Sequence, residues 1–234
     1  MTTTRTGAPG ADRRAAGTLA GVTGEELASF SLVELTTESL RRDILSGRID
    51  PGERLVEEQL TKRLGISRAP LREAMRLLAQ QGLVEHIPRR GARVATMSAD
   101  DVRELYEVRD VLERHAVASI PADADLSALR AALEMMREAT AAEDRLELAN
   151  AHRRFHVEVV RLGGNHQLAG LYESVLVRIQ LYMAVNMRRE AELTRASDGV
   201  LRHERLFAAV SSGEVARIRE ALGGHGATAY LNPS

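Results

Sequence analysis

The chain has 234 residues, no cysteine, 44% apolar residues and a formal net charge of −1 from 32 basic and 33 acidic side chains. That length suits two domains rather than one small one, and the apolar share is enough for a sizeable core. Without cysteine, disulfides and thiolate ligands are excluded; no apolar run approaches the roughly 20 residues of a membrane span, so a soluble, cytoplasmic protein with no membrane partner is expected.

Residues 1–30 are rich in Thr, Gly, Ala and Arg without sustained periodicity and read as a disordered tail. Behind it the near-zero charge hides a division. Residues 31–97 carry 12 basic and 9 acidic side chains, a net of plus 3, whereas residues 98–234 carry 17 and 21, a net of minus 4. A mild basic excess at the front suits contact with phosphates, and the acidic rear is not expected to touch nucleic acid.

Val56, Leu60 and Leu64 recur at helical spacing and predict a short helix, ended by Gly65 at a tight corner. Ser67 is a good N-cap residue for a second helix, with Pro70 tolerated in its first turn. Leu71, Met75 and Leu78 form the inward face of that helix, while Arg68, Arg72 and Arg76 repeat every four residues on an outward one. Two helices joined by a Gly-containing corner make a helix-turn-helix, whose second helix enters the major groove by its first turn. Ser67, Arg68, Ala69 and Arg72 are therefore placed to meet base edges or flanking phosphates of a double-stranded operator. Gly82 is expected at the C′ position, followed by strands at Leu83–His86 and Ala92–Ala95 joined through Pro88, Arg89, Arg90 and Gly91. Arginines on such a wing suit a phosphate backbone or a narrow minor groove.

The run from Arg41 to Val94 resembles the winged-helix domain of GntR-family bacterial transcription regulators. The elements that carry the resemblance are Gly47 to Leu55, Leu64 to Glu73 and Gly82 to Val84. It implies DNA contacts from Arg68, Arg72 and the wing around Arg90 and Gly91, with Ser67 near a phosphate.

From Ser98 onward the pattern is helical, with breaks at Pro121, at Gly163-Gly164-Asn165, around Ser197 to Gly199 and at Ser211 to Gly213. Segments 99–120, 126–142, 145–162, 166–189, 200–210 and 214–229 each carry an apolar stripe. The expected fold is thus mainly α: a winged helix-turn-helix over residues 31–97, then an all-α antiparallel helical bundle over 98–234. Four of the seven histidines fall on apolar stripes of this bundle. His152 and His156 are four apart on one face, His203 lies among Val200, Leu206 and Val210, and His225 continues the stripe of Ile218 and Leu222. One such histidine reads best as a satisfied core residue; four on three inward faces point to a shared divalent transition metal, because i, i+4 spacing aims two imidazoles at one point.

The same region resembles the helical effector domain called FCD, found in the FadR-type branch of the GntR family. The resemblance rests on Tyr106 to Glu113, Phe155-His156, Gly164-Asn165, His203-Glu204 and His225. Metal-binding members of that branch join a D-x-x-x-H pair to one histidine from each of two later helices; here His152 stands where the aspartate usually is. Four imidazoles without a carboxylate favour zinc, with nickel or cobalt as alternatives. A small carboxylate could complete the metal's shell and pair with a guanidinium. Arg109 is implied for that role by resemblance, with Arg178 and Asn186 as weaker candidates and an Arg109–Glu113 ion pair as the competing reading.

Two function classes follow. One is a homodimeric transcription regulator, a repressor by preference, whose affinity for a palindromic operator responds to a small carboxylate; its nearest variant responds to metal alone. The other is a metalloenzyme, suggested by the likeness of residues 152–156 to H-E-x-x-H. That motif needs a glutamate base after the first histidine, and Arg153 stands there, so the enzyme reading is set aside.

Overall fold

The computed structural model describes residues 24–190 and 196–223, with side-chain placement for 32–182 and 199–223. The first element is a helix the sequence had hidden, α1 (Gly24–Leu45). Residues 24–30 therefore belong to it and not to a tail, while residues 1–23 lie outside the described residues. Its signal was masked because Thr36 and Thr37 sit on the buried face, where the hydroxyls donate to the carbonyls of Leu32 and Val33 one turn back. Two threonines so satisfied can be buried without an apolar side chain announcing the stripe.

After α1 come β1 (Arg54–Leu55), α2 (Glu57–Leu64), α3 (Arg68–Gln80), β2 (Val84–Ile87) and β3 (Gly91–Val94). The α2–α3 corner is made by Gly65 in the left-handed region, as its sequence position requires. At the end of α3, Gly82 is also left-handed and Leu83 N–H donates to the Leu78 carbonyl, a Schellman-type stop. Strands β2 and β3 pair from Val84↔Val94 to Ile87↔Gly91, each shifted by one residue from its expected bounds. The two-residue β1 pairs with the other side of β3; it is too short for any alternation to reveal.

The bundle consists of α4 (Ala99–Val117), α5 (Ser127–Ala141), α6 (Arg145–Arg161), α7 (His166–Glu190), α8 (Ala196–Ser212) and α9 (Val215–Gly223). Ser98 and Asp101 form a capping box at the start of α4, fixing where the bundle begins. Ser197 to Gly199, where a break was expected, lie in the first turn of α8, which begins at Ala196; residues 191–195 lie outside the described residues.

Among the described residues, three buried clusters hold the fold together. One lies between α1, α3 and the sheet, around Leu40, Ile44, Leu71, Leu78, Leu83 and Val94. It is completed by Val177 and Leu181 from α7, so a helix of the bundle supplies part of the winged-helix core. The others fill the bundle: Phe155, Val159, Leu129 and Leu206 in one, Tyr106, Val160 and Tyr172 in the next.

The turn between α6 and α7 comes close to the end of α4. A Cβ built on Gly163 would stand 2.6 Å from the carbonyl oxygen of Ala116. Gly163→Ala is accordingly expected to destabilise the protein by roughly 1–3 kcal/mol, the usual cost of forcing extra atoms into packed structure. Thermal unfolding checks this, and an unchanged midpoint would contradict the close approach. No helix among the described residues is long and apolar enough to cross a membrane.

Candidate metal centre and nucleic-acid interface

In the bundle, α6 and α8 bring three of the four predicted histidines together. His152, His156 and His203 offer ring nitrogens that all lie within 4.8 Å of one another. His156 and His203 are buried and His152 is half-buried. His225 lies outside the described residues.

The two buried rings are oriented by their outer nitrogens. His203 Nδ1 is 2.7 Å from the carbonyl oxygen of Gly199, one turn earlier on α8, and so carries a proton and donates it. His156 Nδ1 is 3.2 Å from the Glu113 carboxylate on α4. With the outer nitrogens so occupied, the inner ones face each other, Nε2 to Nε2, at 3.2 Å. Two nitrogens bound to one zinc at about 2.0–2.1 Å and the tetrahedral angle stand about 3.3 Å apart, so the pair has the spacing of two ligands on one ion. A carboxylate or carbonyl on the far nitrogen is the usual outer partner of a metal-binding imidazole. These residues fit a divalent transition ion.

Arg109 joins the same cluster. Its side chain is buried on α4, one turn before Glu113, and the two form an ion pair at 3.1 Å. Its Nη2 is also 3.2 Å from His156 Nδ1 and 3.3 Å from Nε2. The ion pair and the contact with the candidate centre are thus one arrangement, not competing ones. Tyr172 of α7, buried beside them, donates its hydroxyl to the Glu113 carboxylate. Burial is the largest single influence on Arg109 and disfavours its charge, but the Glu113 carboxylate together with Tyr172 and Tyr106 more than offsets it and keeps the guanidinium firmly protonated. Burial next, with Glu113 adding to it, pushes the Tyr172 phenol well above its ordinary range, so it remains a donor.

The weaker candidates fall elsewhere. Arg178 is six residues beyond Tyr172, some 240° round α7, and is exposed rather than facing the histidines. Its side chain lies under Gly82, whose added Cβ would stand 3.0 Å from Arg178 Cδ. There it lines a cleft of about 390 Å³ between the winged helix and α7, with Gln81, Glu85 and Thr96. Arg178 is thus not brought to the histidine cluster with Arg109: the helical turn sends it to the domain junction. The side chain of Asn186 lies outside the described residues. Glu113 and Tyr172 are the two site residues the sequence did not single out as such. Glu113 had a signal in its i, i+4 relation to Arg109; Tyr172 had none, since its contact spans 59 positions.

At the other end, Ser67, Arg68, Ala69 and Arg72 form an exposed edge on the first turns of α3. Ser67 stands at the N-cap in extended conformation and is exposed, but its hydroxyl makes no capping bond, contrary to expectation. Arg72 Nε donates to both oxygens of Glu57 on α2, at 2.8 and 3.1 Å. On the wing, Arg89 has a left-handed backbone, and Arg90 and Gly91 are exposed. Arg54 of β1 donates to the Arg90 carbonyl at 2.9 Å, which braces the wing tip against the sheet.

A reading helix with an arginine edge and a braced wing, joined to a helical bundle, define a DNA-binding regulator. Residues 32–94 match the bacterial regulatory proteins of the gntR family, and residues 104–228 match the FCD domain. The chain belongs to the GntR family of transcriptional regulators, in the branch that carries an FCD domain. It is 35% identical over 173 residues to an uncharacterized HTH-type transcriptional regulator, YdhC, of Bacillus subtilis strain 168, covering 72% of this chain and 75% of that one. It is 29% identical over 194 residues to the HTH-type transcriptional repressor GlaR of Escherichia coli K12, covering 80% and 88%. A solved GntR regulator from Rhodococcus sp. RHA1 superposes with a TM-score of 0.74 at 28% identity, covering 83% of this chain and 93% of that one. These relatives are regulators, and the chain is a transcriptional regulator rather than an enzyme.

Proposed function

We propose that the protein is a homodimeric repressor whose affinity for a palindromic operator is set by a small carboxylate bound at a divalent transition-metal centre. His152, His156 and His203 would hold the metal, zinc first and nickel or cobalt as alternatives, and the metal would supply a Lewis-acidic anchor for the acid. The observation that carries this reading is the pair of inner nitrogens 3.2 Å apart with both outer nitrogens already engaged. Arg109 beside His156 is the guanidinium suited to the acid's second oxygen. Repression is favoured because relatives such as GlaR are repressors.

Control of DNA affinity has a physical route in α7. Tyr172 on this helix bonds to Glu113 at the centre, and Val177 and Leu181 further along it sit in the winged-helix core. A shift of α7 in response to the centre would be felt by the reading domain through packed side chains. For the homodimer, the supporting feature is an exposed apolar strip on α4, where Val108 is 47% and Val111 65% exposed. A two-fold pair would cover that strip and match two half-sites.

A second reading, response to metal alone, is favoured by the Arg109–Glu113 ion pair, which leaves the guanidinium already neutralised. Thermal-shift titrations with Zn²⁺, Co²⁺ or Ni²⁺, each with and without a panel of small carboxylic acids and with chelator, decide between them. Further stabilisation by an acid only when metal is present is the expected result; stabilisation by metal with indifference to every acid establishes the second reading, and indifference to every metal overturns both.

A further inference from the structure

The Arg72–Glu57 pair joins the reading helix to the helix before it, and its geometry is one-sided. Both carboxylate oxygens engage Nε, leaving Nη1 and Nη2 out of the pair. Arg72 is the more exposed partner, its side chain 64% accessible against 33% for Glu57. The neighbouring arginine pair on the same helix differs: Arg76 gives both Nε and Nη2 to Glu73, three residues away on α3 itself, and has its side edge closed.

The geometry points to Glu57 as a specificity-determining residue, which holds Arg72 by its inner nitrogen so that the outer end of the guanidinium is presented to a guanine edge. This rests on the reading that Arg72 meets a base. An arginine on a surface helix has four side-chain torsions and, left alone, finds the nearest phosphate, the strongest and least discriminating attraction on DNA. Tethering Nε to a carboxylate on a different helix removes much of that freedom. It also cancels the charge that would draw the side chain to the backbone, so that what remains favourable is the hydrogen-bonding pattern of O6 and N7 in the major groove. Arg68, whose charge also acts on Glu57, adds to the field that keeps this carboxyl ionised below its ordinary range, after the dominant hydrogen bond from Arg72. The bland alternative is that Glu57 only favours the N-terminus of α2, where an acidic side chain complements the helix dipole.

The test uses the full-length protein and a pool of duplexes with a randomised centre. Sequencing the bound fraction for wild type and for Arg72→Ala identifies the base position whose preference depends on Arg72. Glu57→Gln is expected to lower the preference at that position about tenfold, part of what one bidentate contact supplies. At the same time it is expected to tighten binding to non-cognate duplex and to steepen the salt dependence by about one phosphate contact, because a released cation now reaches the backbone. Glu58→Gln, which removes the same charge one residue on from an exposed side chain, is expected to leave the preference unchanged. In the Arg72→Ala background Glu57→Gln should add no further loss of preference. A Glu57→Gln protein that weakens on all duplexes equally, or keeps its base preference, or behaves as Glu58→Gln does, overturns the assignment. An Arg72→Ala protein with every preference intact overturns the reading of Arg72 itself, and the assignment with it. Circular dichroism of each variant separates these results from a failure to fold.

Discussion

Replacing His203 by alanine is expected to lower metal affinity by more than about 100-fold, beyond the 10–100-fold that loss of an outer partner costs. The reason is geometric. His203 is the sole candidate ligand contributed by α8 among the described residues, and its inner nitrogen faces that of His156 across 3.2 Å. Without it the candidates left among the described residues, His152 and His156, come from a single helix, and two imidazoles cannot close a shell around an ion. Glu113→Gln should produce the smaller, outer-partner effect, because it weakens the hold on His156 Nδ1 without removing a ligand. Elemental analysis of purified protein, followed by competition with a chromogenic chelator, measures both. The exposed His115 provides a surface control. Stoichiometric metal retained by His203→Ala would remove the site assignment.

Arg68→Ala combined with Arg72→Ala is expected to abolish discrimination between operator and random DNA while the fold remains intact. A good bidentate contact supplies about 1–3 kcal/mol of discrimination, and in the proposed two-fold dimer each contact is made twice. Loss of one arginine per protomer thus removes about 2–6 kcal/mol, and loss of both leaves only the sequence-independent attraction to phosphates. Stability should hardly move, since both side chains are exposed and an exposed ion pair such as Arg72–Glu57 adds little in water. Fluorescence anisotropy on operator and scrambled duplexes, beside a thermal melt of each protein, checks both halves. Undiminished discrimination would mean that another surface reads the DNA.

The two effects are linked by the construction of the molecule. Variants of the candidate metal centre act beside Tyr172 of α7 and DNA-edge variants on the exposed face of the winged helix, with Val177 and Leu181 of α7 packed into the winged-helix core. His203→Ala should therefore leave the intrinsic contacts of Arg68 and Arg72 untouched and change only how the bundle biases them.

The sequence by itself determined the features that depend on local spacing. The α2–α3 corner at Gly65, the stop at Gly82, the arginine edge of α3 and the helical periodicity of the bundle all follow from residues within a turn or two of one another, and the structure has each of them. The meeting of His152 and His156 was legible for the same reason, since i, i+4 positions share a helix face. Tertiary structure alone decided what lay across distance or behind satisfied polar groups. It set α1, whose buried threonines bond to their own helix and imitate a polar segment. It set β1, which exists only because β3 offers it an edge. It turned Arg178 toward Gly82 and away from the histidines, because the bundle presents a different face of α7 at each turn. And it placed Tyr172 on Glu113, 59 positions away, where no pattern along the chain could have joined them: long-range contacts are fixed by how helices pack, and packing is a property of the whole set of faces at once.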